Sequence, residues 1–172
     1  MFICLFWGCP PIKKGGQFFL SMEFFAAIKY FKKKLSRESI QKTFVAILNK
    51  KVVRDLIIEA NQQQMYELGQ DSEGNKIGEY SEVTIGIKRS KGQRYDHMTL
   101  KDTGAFYESM VVKVEQDGFI IDADTIKVAW DGAIDLLDVY GEDILGLNEE
   151  NKELLREIVL DEFISEFKKI AA

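Results

Sequence analysis

The apolar residues change period partway along the chain, and this change limits the folds open to it. From Phe24 to Leu68 they recur three and four positions apart, the spacing of one helical face. From Met110 the sequence reads MVVKVE, then QDG, then FIIDAD. β-Branched residues on both sides of an Asp-Gly pair predict a hairpin over 110–124, with Met110, Val112 and Val114 on one face. After Asn148 helical spacing returns. This order predicts an α+β fold: N-terminal helices, a small antiparallel β-sheet with its hairpin near 110–124, and a C-terminal amphipathic helix packed on it.

The helical stretches carry their own end signals. Phe24, Phe25, Ile28, Phe31 and Leu35 make a first stripe over 22–35, with Lys29 and Lys32 to Lys34 mostly on another face. Ser36 is the expected N-cap of a second helix carrying Ile40, Phe44 and Ile47. Asn49 interrupts or re-caps the chain. Val52, Val53, Leu56, Ile57, Ala60 and Leu68 make a third stripe, and Gly69 follows where a left-handed C-cap is wanted. GQDSEGNKIGEYS reads as an exposed loop. Over 81–87 two readings stand open: Ser81 caps a short helix, or Val83, Ile85 and Ile87 alternate along a strand. Asn148 caps the last helix, with Glu149 and Glu150 at its positive end. Leu154, Leu155, Ile158, Phe163, Phe167 and Ile170 form its apolar face.

A composition of 46% hydrophobic and 30% charged residues is that of a folded chain, not a disordered one. Residues 22–172 suit a single domain. Residues 1–21, MFICLFWGCPPIKKGGQFFLS, differ from the rest of the chain and hold both cysteines and both prolines. Their apolar run precedes the lysines, the reverse of a signal peptide, and is too short for a membrane span of about 20 apolar residues. Two readings remain. The segment is an apolar arm that docks on a neighbour, or it is a translated leader upstream of a start at Met22. KKGG at 13–16, which a purine-rich ribosome-binding stretch would encode, favours the leader.

Little in the sequence speaks of catalysis. No G-x-S-x-G, Walker A, H-E-x-x-H or G-x-G-x-x-G is present. Cys4 and Cys9, with His97 as the lone histidine, do not make a zinc site, and are read as reduced thiols. Asp102-Thr103-Gly104 matches the aspartic-protease triplet, but that chemistry needs a second such Asp sharing the proton. No catalytic residue, metal or cofactor is expected.

Charge is divided along the chain. Residues 1–101 carry 17 Lys and Arg against 10 Asp and Glu; residues 102–172 carry 6 against 18. The halves stand at +7 and −12, within a total of −5. Such a split marks an interaction surface or, more plainly, two solvated faces of one monomer. Lys88, Arg89, Lys91 and Arg94 surround Gly92 and read as an exposed basic loop: the candidate interaction site, able to touch phosphates, or, more commonly for such a stretch, a solvated loop.

The stretch IGEYSEVTIGIKRSKGQRYDHMTLKDTGAFYESM resembles the signature of tailed-bacteriophage virion morphogenesis and tail-completion proteins. The matching elements are Tyr80, Ser81, Thr84, Lys88, Leu100, Thr103, Gly104, Phe106 and Ser109. The family continues with a β-hairpin, a Leu-Gly and a closing helix, and YGEDILGLNEENKELL fits that ending through Leu145-Gly146-Leu147. The chain departs in lacking the family's Pro-rich turn before the Leu-Gly. The resemblance runs from Glu67 to Ile170. It implies a non-catalytic protein of the virion neck or tail, assembled in the bacterial host cytoplasm. Its expected partners are copies of itself in a ring, other phage neck or tail proteins, and DNA in the lumen, with no membrane. In that setting Leu100, Thr103, Gly104 and Phe106 form the joint that feeds the hairpin. The alternative is a small nucleic-acid-binding or regulatory module using Lys29–Arg37 and Lys88–Arg94.

Overall fold

In the structure, a computed structural model, residues 36–129 and 132–171 are described. The leader or arm expected over 1–21 and the helix expected over 22–35 lie outside them, as does the side chain of Ile170.

Helix α1 spans Arg37–Leu48, and the Ser36 hydroxyl accepts the Ser39 N–H at 3.2 Å as the cap. Its buried face is Phe44, Ile47 and Leu48. The break at Asn49 is local: its side-chain amide and its backbone N–H both donate to the Val45 carbonyl. Helix α2 then runs Lys51–Gln63 and passes into a single π-helical turn, Gln64–Leu68. Gly69 closes it in the left-handed region at φ +63°. Val53, Ile57, Asn61, Gln64 and Met65 face inward. The expected stripe is thus corrected at two places: Val52 and Leu68 are exposed. The wider π turn shifts the phase of the helix, which carries Leu68 off the apolar line.

The ambiguous stretch is a helix, α3 (Glu82–Ser90), capped by the Ser81 hydroxyl on the Thr84 N–H at 3.2 Å. An irregular strap, 91–104, leads to one turn of helix α4, Ala105–Glu108. Strands β1 (Val111–Val114) and β2 (Phe119–Asp122) then pair antiparallel, with Val112 opposite Ile121. This is the expected hairpin, and its inner face, Met110, Val112, Phe119 and Ile121, is buried. A second hairpin comes next, one that the sequence reading did not anticipate: β3 (Ile126–Ala129) pairs with β4 (Gly132–Asp135). The sheet is therefore two separate two-stranded sheets. Helix α5, Leu136–Tyr140, is capped by Asp135, and a 3₁₀ turn, Glu142–Ile144, precedes helix α6, Glu149–Ala171. The fold is α+β.

Helix α6 lies on α1 and α2. Leu155, Val159, Phe163 and Phe167, four apart, make its buried line, while Leu154 is exposed. Lys50, between α1 and α2, reaches Glu162 at 2.5 Å and Glu166 at 3.1 Å on α6. Those hydrogen bonds raise the lysine's pKa and lower that of Glu166.

The centre of this packing is polar. The Asn61 amide donates to the carbonyls of Ile144 (3.2 Å) and Gly146 (2.7 Å). The Gln64 amide also donates to Gly146, and its oxygen accepts the Asn148 N–H at 2.7 Å and the Asn151 amide at 3.2 Å. Asn148 in turn caps α6 by accepting the Asn151 N–H at 3.0 Å. Gln64 and Asn61 are almost wholly buried. An extended segment with no ladder of its own is thereby satisfied in the interior.

Gln64→Leu keeps the bulk but leaves the Asn148 N–H without its partner. We expect a loss of about 3 kcal/mol in denaturant unfolding, against about 0.5 kcal/mol or less for Gln63→Ala on the exposed side of the same helix. Equal effects of the two would show that the clamp contributes nothing.

Candidate functional site

The motif residues and the basic cluster meet on the strap. Its course is set by the open end of α2. The last carbonyls of a helix lack intrahelical partners. The Tyr66 carbonyl, in the π turn, accepts from Arg94 Nη1 at 3.2 Å and faces His97 Nε2 at 2.9 Å. The imidazole lies close against Gly69. A Cβ there would sit 2.6 Å from His97 Cδ2, so both the φ value and the contact require glycine. The other ring nitrogen faces the Asp96 carboxylate at 3.1 Å. Both nitrogens of the lone histidine are thus committed within the fold, and neither is aimed at a nucleophile.

Two tyrosines hold Thr99. The Tyr80 hydroxyl accepts the Thr99 N–H at 2.9 Å, and the Tyr107 hydroxyl donates to the Thr99 carbonyl at 2.6 Å. Burial pushes the Tyr107 phenol well above its ordinary pKa. With Thr99 fixed from both sides, Leu100 is forced to φ +53°, the one non-glycine with positive φ among the described residues. Such a conformation costs about 1–2 kcal/mol, offset here by the half-buried Leu100 side chain against the core. Thr103 then accepts the Ala105 N–H at 3.3 Å, Gly104 turns at φ +100°, and Phe106 and Tyr107 enter the core. Leu100, Thr103, Gly104 and Phe106 therefore form one continuous joint leading into β1.

The four cations do not share one surface. The basic loop is corrected in part: Lys88 and Arg89 belong to the last turn of α3. Lys88 is only 6% exposed. Its ammonium donates to the Lys101 carbonyl at 2.7 Å and lies 4.8 Å from the Tyr80 ring centre. Arg94 pairs with Glu67 and with Asp96, and the bond to Glu67 is the main cause of its raised pKa. Lys91 pairs with Asp102 at 3.2 Å and Arg89 stacks over Tyr95 at 4.8 Å, both remaining exposed. Lys101 lies over the rings of Tyr66 and Tyr107. The sequence reading missed Thr99 and Lys101. Tyrosines and lysines interleave from Tyr80 to Tyr107, the one signal that these rings and ammonium groups would stack.

Beside the strap lies a cleft of about 150 Å³ bordered by Lys76, Glu79, Tyr80, Tyr95, Asp96 and His97. Its size is below that of ordinary small-molecule pockets, roughly 300 Å³ and upward. Among the described residues no group of three His, Cys, Asp or Glu is placed to hold a metal ion, and no helix is long and apolar enough to cross a membrane. What the arrangement does is position: it ties α2, α3 and the first hairpin into one unit. Compared with protein-family models, with curated proteins and with solved structures, the chain matches none.

The burial of Lys88 and the pairing of Asp102 can each be measured. Lys88→Glu places a carboxylate against the Lys101 carbonyl and should cost about 2 kcal/mol or more. Lys91→Glu on the exposed side should cost about 0.5 kcal/mol. Similar unfolding midpoints would place Lys88 at the surface. Asp102 is held below the usual carboxyl range, first by Lys91 and then by Lys127. Its folded pKa is lower than its unfolded one, so its contribution is complete above about pH 4 and disappears as pH falls through the folded value. Asp102→Asn should flatten the acid limb of a stability profile below about pH 4 and leave its slope near neutrality unchanged.

Proposed function

We propose that the chain is a structural assembly protein of a tailed-phage or prophage particle, acting in tail completion or head–tail joining as a ring of copies, without catalysis. The observation that carries this reading is the joint. Of the residues that carry the resemblance, Lys88 lies over the Tyr80 ring and both bond the strap, at Lys101 and Thr99, while Leu100, Thr103, Gly104 and Phe106 follow on that strap with Leu100 and Phe106 packed in the core. The β1–β2 hairpin, Leu145-Gly146-Leu147 and a closing helix come after it in the order the resemblance implies. The site would act by presenting fixed surfaces to neighbours in the virion: further copies, other neck or tail proteins, and DNA in the lumen.

The nucleic-acid-binding alternative is weaker. Lys88 is buried and Arg94 is paired, which leaves Arg89 and Lys91 as the accessible cations of that cluster. Of the other proposed basic segment, Lys29–Arg37, all but Ser36 and Arg37 lies outside the described residues.

The test is genetic and structural. Disrupting the gene in an inducible lysogen should yield heads and tails that fail to join or finish, seen by negative-stain microscopy. The protein should be found in purified particles in multiple copies. Normal particles from the disrupted strain, or tight salt-dependent DNA binding by the isolated protein, would overturn the reading.

A further inference from the structure

Helix α3 turns one side to its own molecule. Lys88 is buried there, and Thr84 and Ile85, to either side of it around the helix, are half-buried. At about 100° per residue the opposite side is that of Gly86 and Ser90. Both are exposed, and so is everything beside them. Val83 and Ile87 form one margin of this outward face, 73% and 50% exposed. Glu82 and Arg89 form the other margin.

The chain makes little use of this face itself. Among the described residues the Glu82 carboxylate has no partner, and Arg89 touches the Tyr95 ring but no carboxylate. Gly86 stands mid-helix, where glycine is unfavourable relative to alanine. A Cβ at Gly86 would meet nothing within 4 Å, so the packing of its own chain does not call for glycine. A second backbone approaching closely would call for it.

The layout of the face selects its occupant. Let a second α3 lie antiparallel on the first, related by a two-fold axis level with Gly86. Each margin then meets the same margin of the other helix in reverse order. Val83 meets Ile87 of the second copy, and Glu82 meets Arg89 of the second copy. A parallel two-fold arrangement sets the apolar margin against the charged one instead.

We propose that α3 docks antiparallel on α3 of a second copy of this chain. Val83 and Ile87 supply the apolar contact beside Gly86, and two reciprocal Glu82–Arg89 pairs fix direction and register. A nine-residue helix covers a small interface, below about 1,200 Å², so the dimer is weak and reversible. A two-fold contact closes on itself. It is therefore distinct from the contacts that build a ring, and it stands or falls independently of the assembly role.

The experiment is sedimentation equilibrium of the full chain up to millimolar concentration, with Glu82→Arg, Arg89→Glu and Gly86→Leu. All three positions are exposed, so each variant should melt close to the parent, and Gly86→Leu slightly above it. The parent should dimerise reversibly. Glu82→Arg and Arg89→Glu each set like charges together twice, and each should dimerise about tenfold or more weakly. Mixed in equal amounts, these two variants should regain the parent's affinity, because every charged contact across the mixed pair is again acid against base. Gly86→Leu should hold the helices apart and also weaken the dimer about tenfold or more. A parent that stays monomeric, or a mixture that stays as weak as its components, overturns the proposal. Association indifferent to all three changes overturns it as well, and places the contact on another surface such as the β3–β4 ribbon.

Discussion

The structure depends on a polar clamp inside an apolar core. Asn61 and Gln64 on α2 and its π turn take the carbonyls of Ile144 and Gly146 and the N–H of Asn148. That segment joins the β-ribbons to the last helix and forms no ladder. Without partners its buried amides would each carry a desolvation cost of about 1–3 kcal/mol. With them, the start of α6 is set on α2, and the line Leu155, Val159, Phe163 and Phe167 falls against the helices. Position comes from directional bonds, and most of the stabilisation from the apolar burial they align.

The π turn extends this logic to the strap. By ending α2 where it does, it presents the Tyr66 carbonyl to Arg94 and His97 and sets Gly69 under the imidazole. Cations that read as a binding patch instead neutralise carboxylates, cover tyrosine rings and occupy carbonyls at home. Apolar side chains are exposed instead on α3, at Val83 and Ile87, and on the second ribbon, at Ile126, Val128 and Ile134.

Features set by near neighbours in sequence were legible. Ser36, Ser81 and Asn148 cap helices because a hydroxyl or amide reaches an N–H three positions on. Gly69 takes the left-handed position, and β1 and β2 pair on either side of the loop that holds the Asp-Gly. Features set by distant partners were not legible. Nothing local to Lys88 distinguishes a buried lysine from a solvated one; the Lys101 carbonyl and the Tyr80 ring decide it. Nothing local to Gln64 announces an interior glutamine. Leu154 and Val159 exchanged places because α6 meets two helices at once, and the apolar line tracks their groove. The sequence of the β3–β4 ribbon did carry a second Asp-Gly pair, Asp131-Gly132, but β4 runs straight into the cap of α5 at Asp135.

The clamp also dictates when the fold can be completed. Asn61 and the Ile144 carbonyl are separated by 83 positions, and Gln64 and the Asn148 N–H by 84. On a ribosome that adds roughly 5–20 residues per second, α1 and α2 are finished several seconds before their polar partners exist. Until then Asn61 and Gln64 remain hydrated, and the groove awaiting α6 stays open. Closure over so long a loop is entropically slow. The domain therefore matures in one late event, after the last helix has emerged, and a nascent chain stalled before Asn148 carries an incomplete core for chaperones to shield.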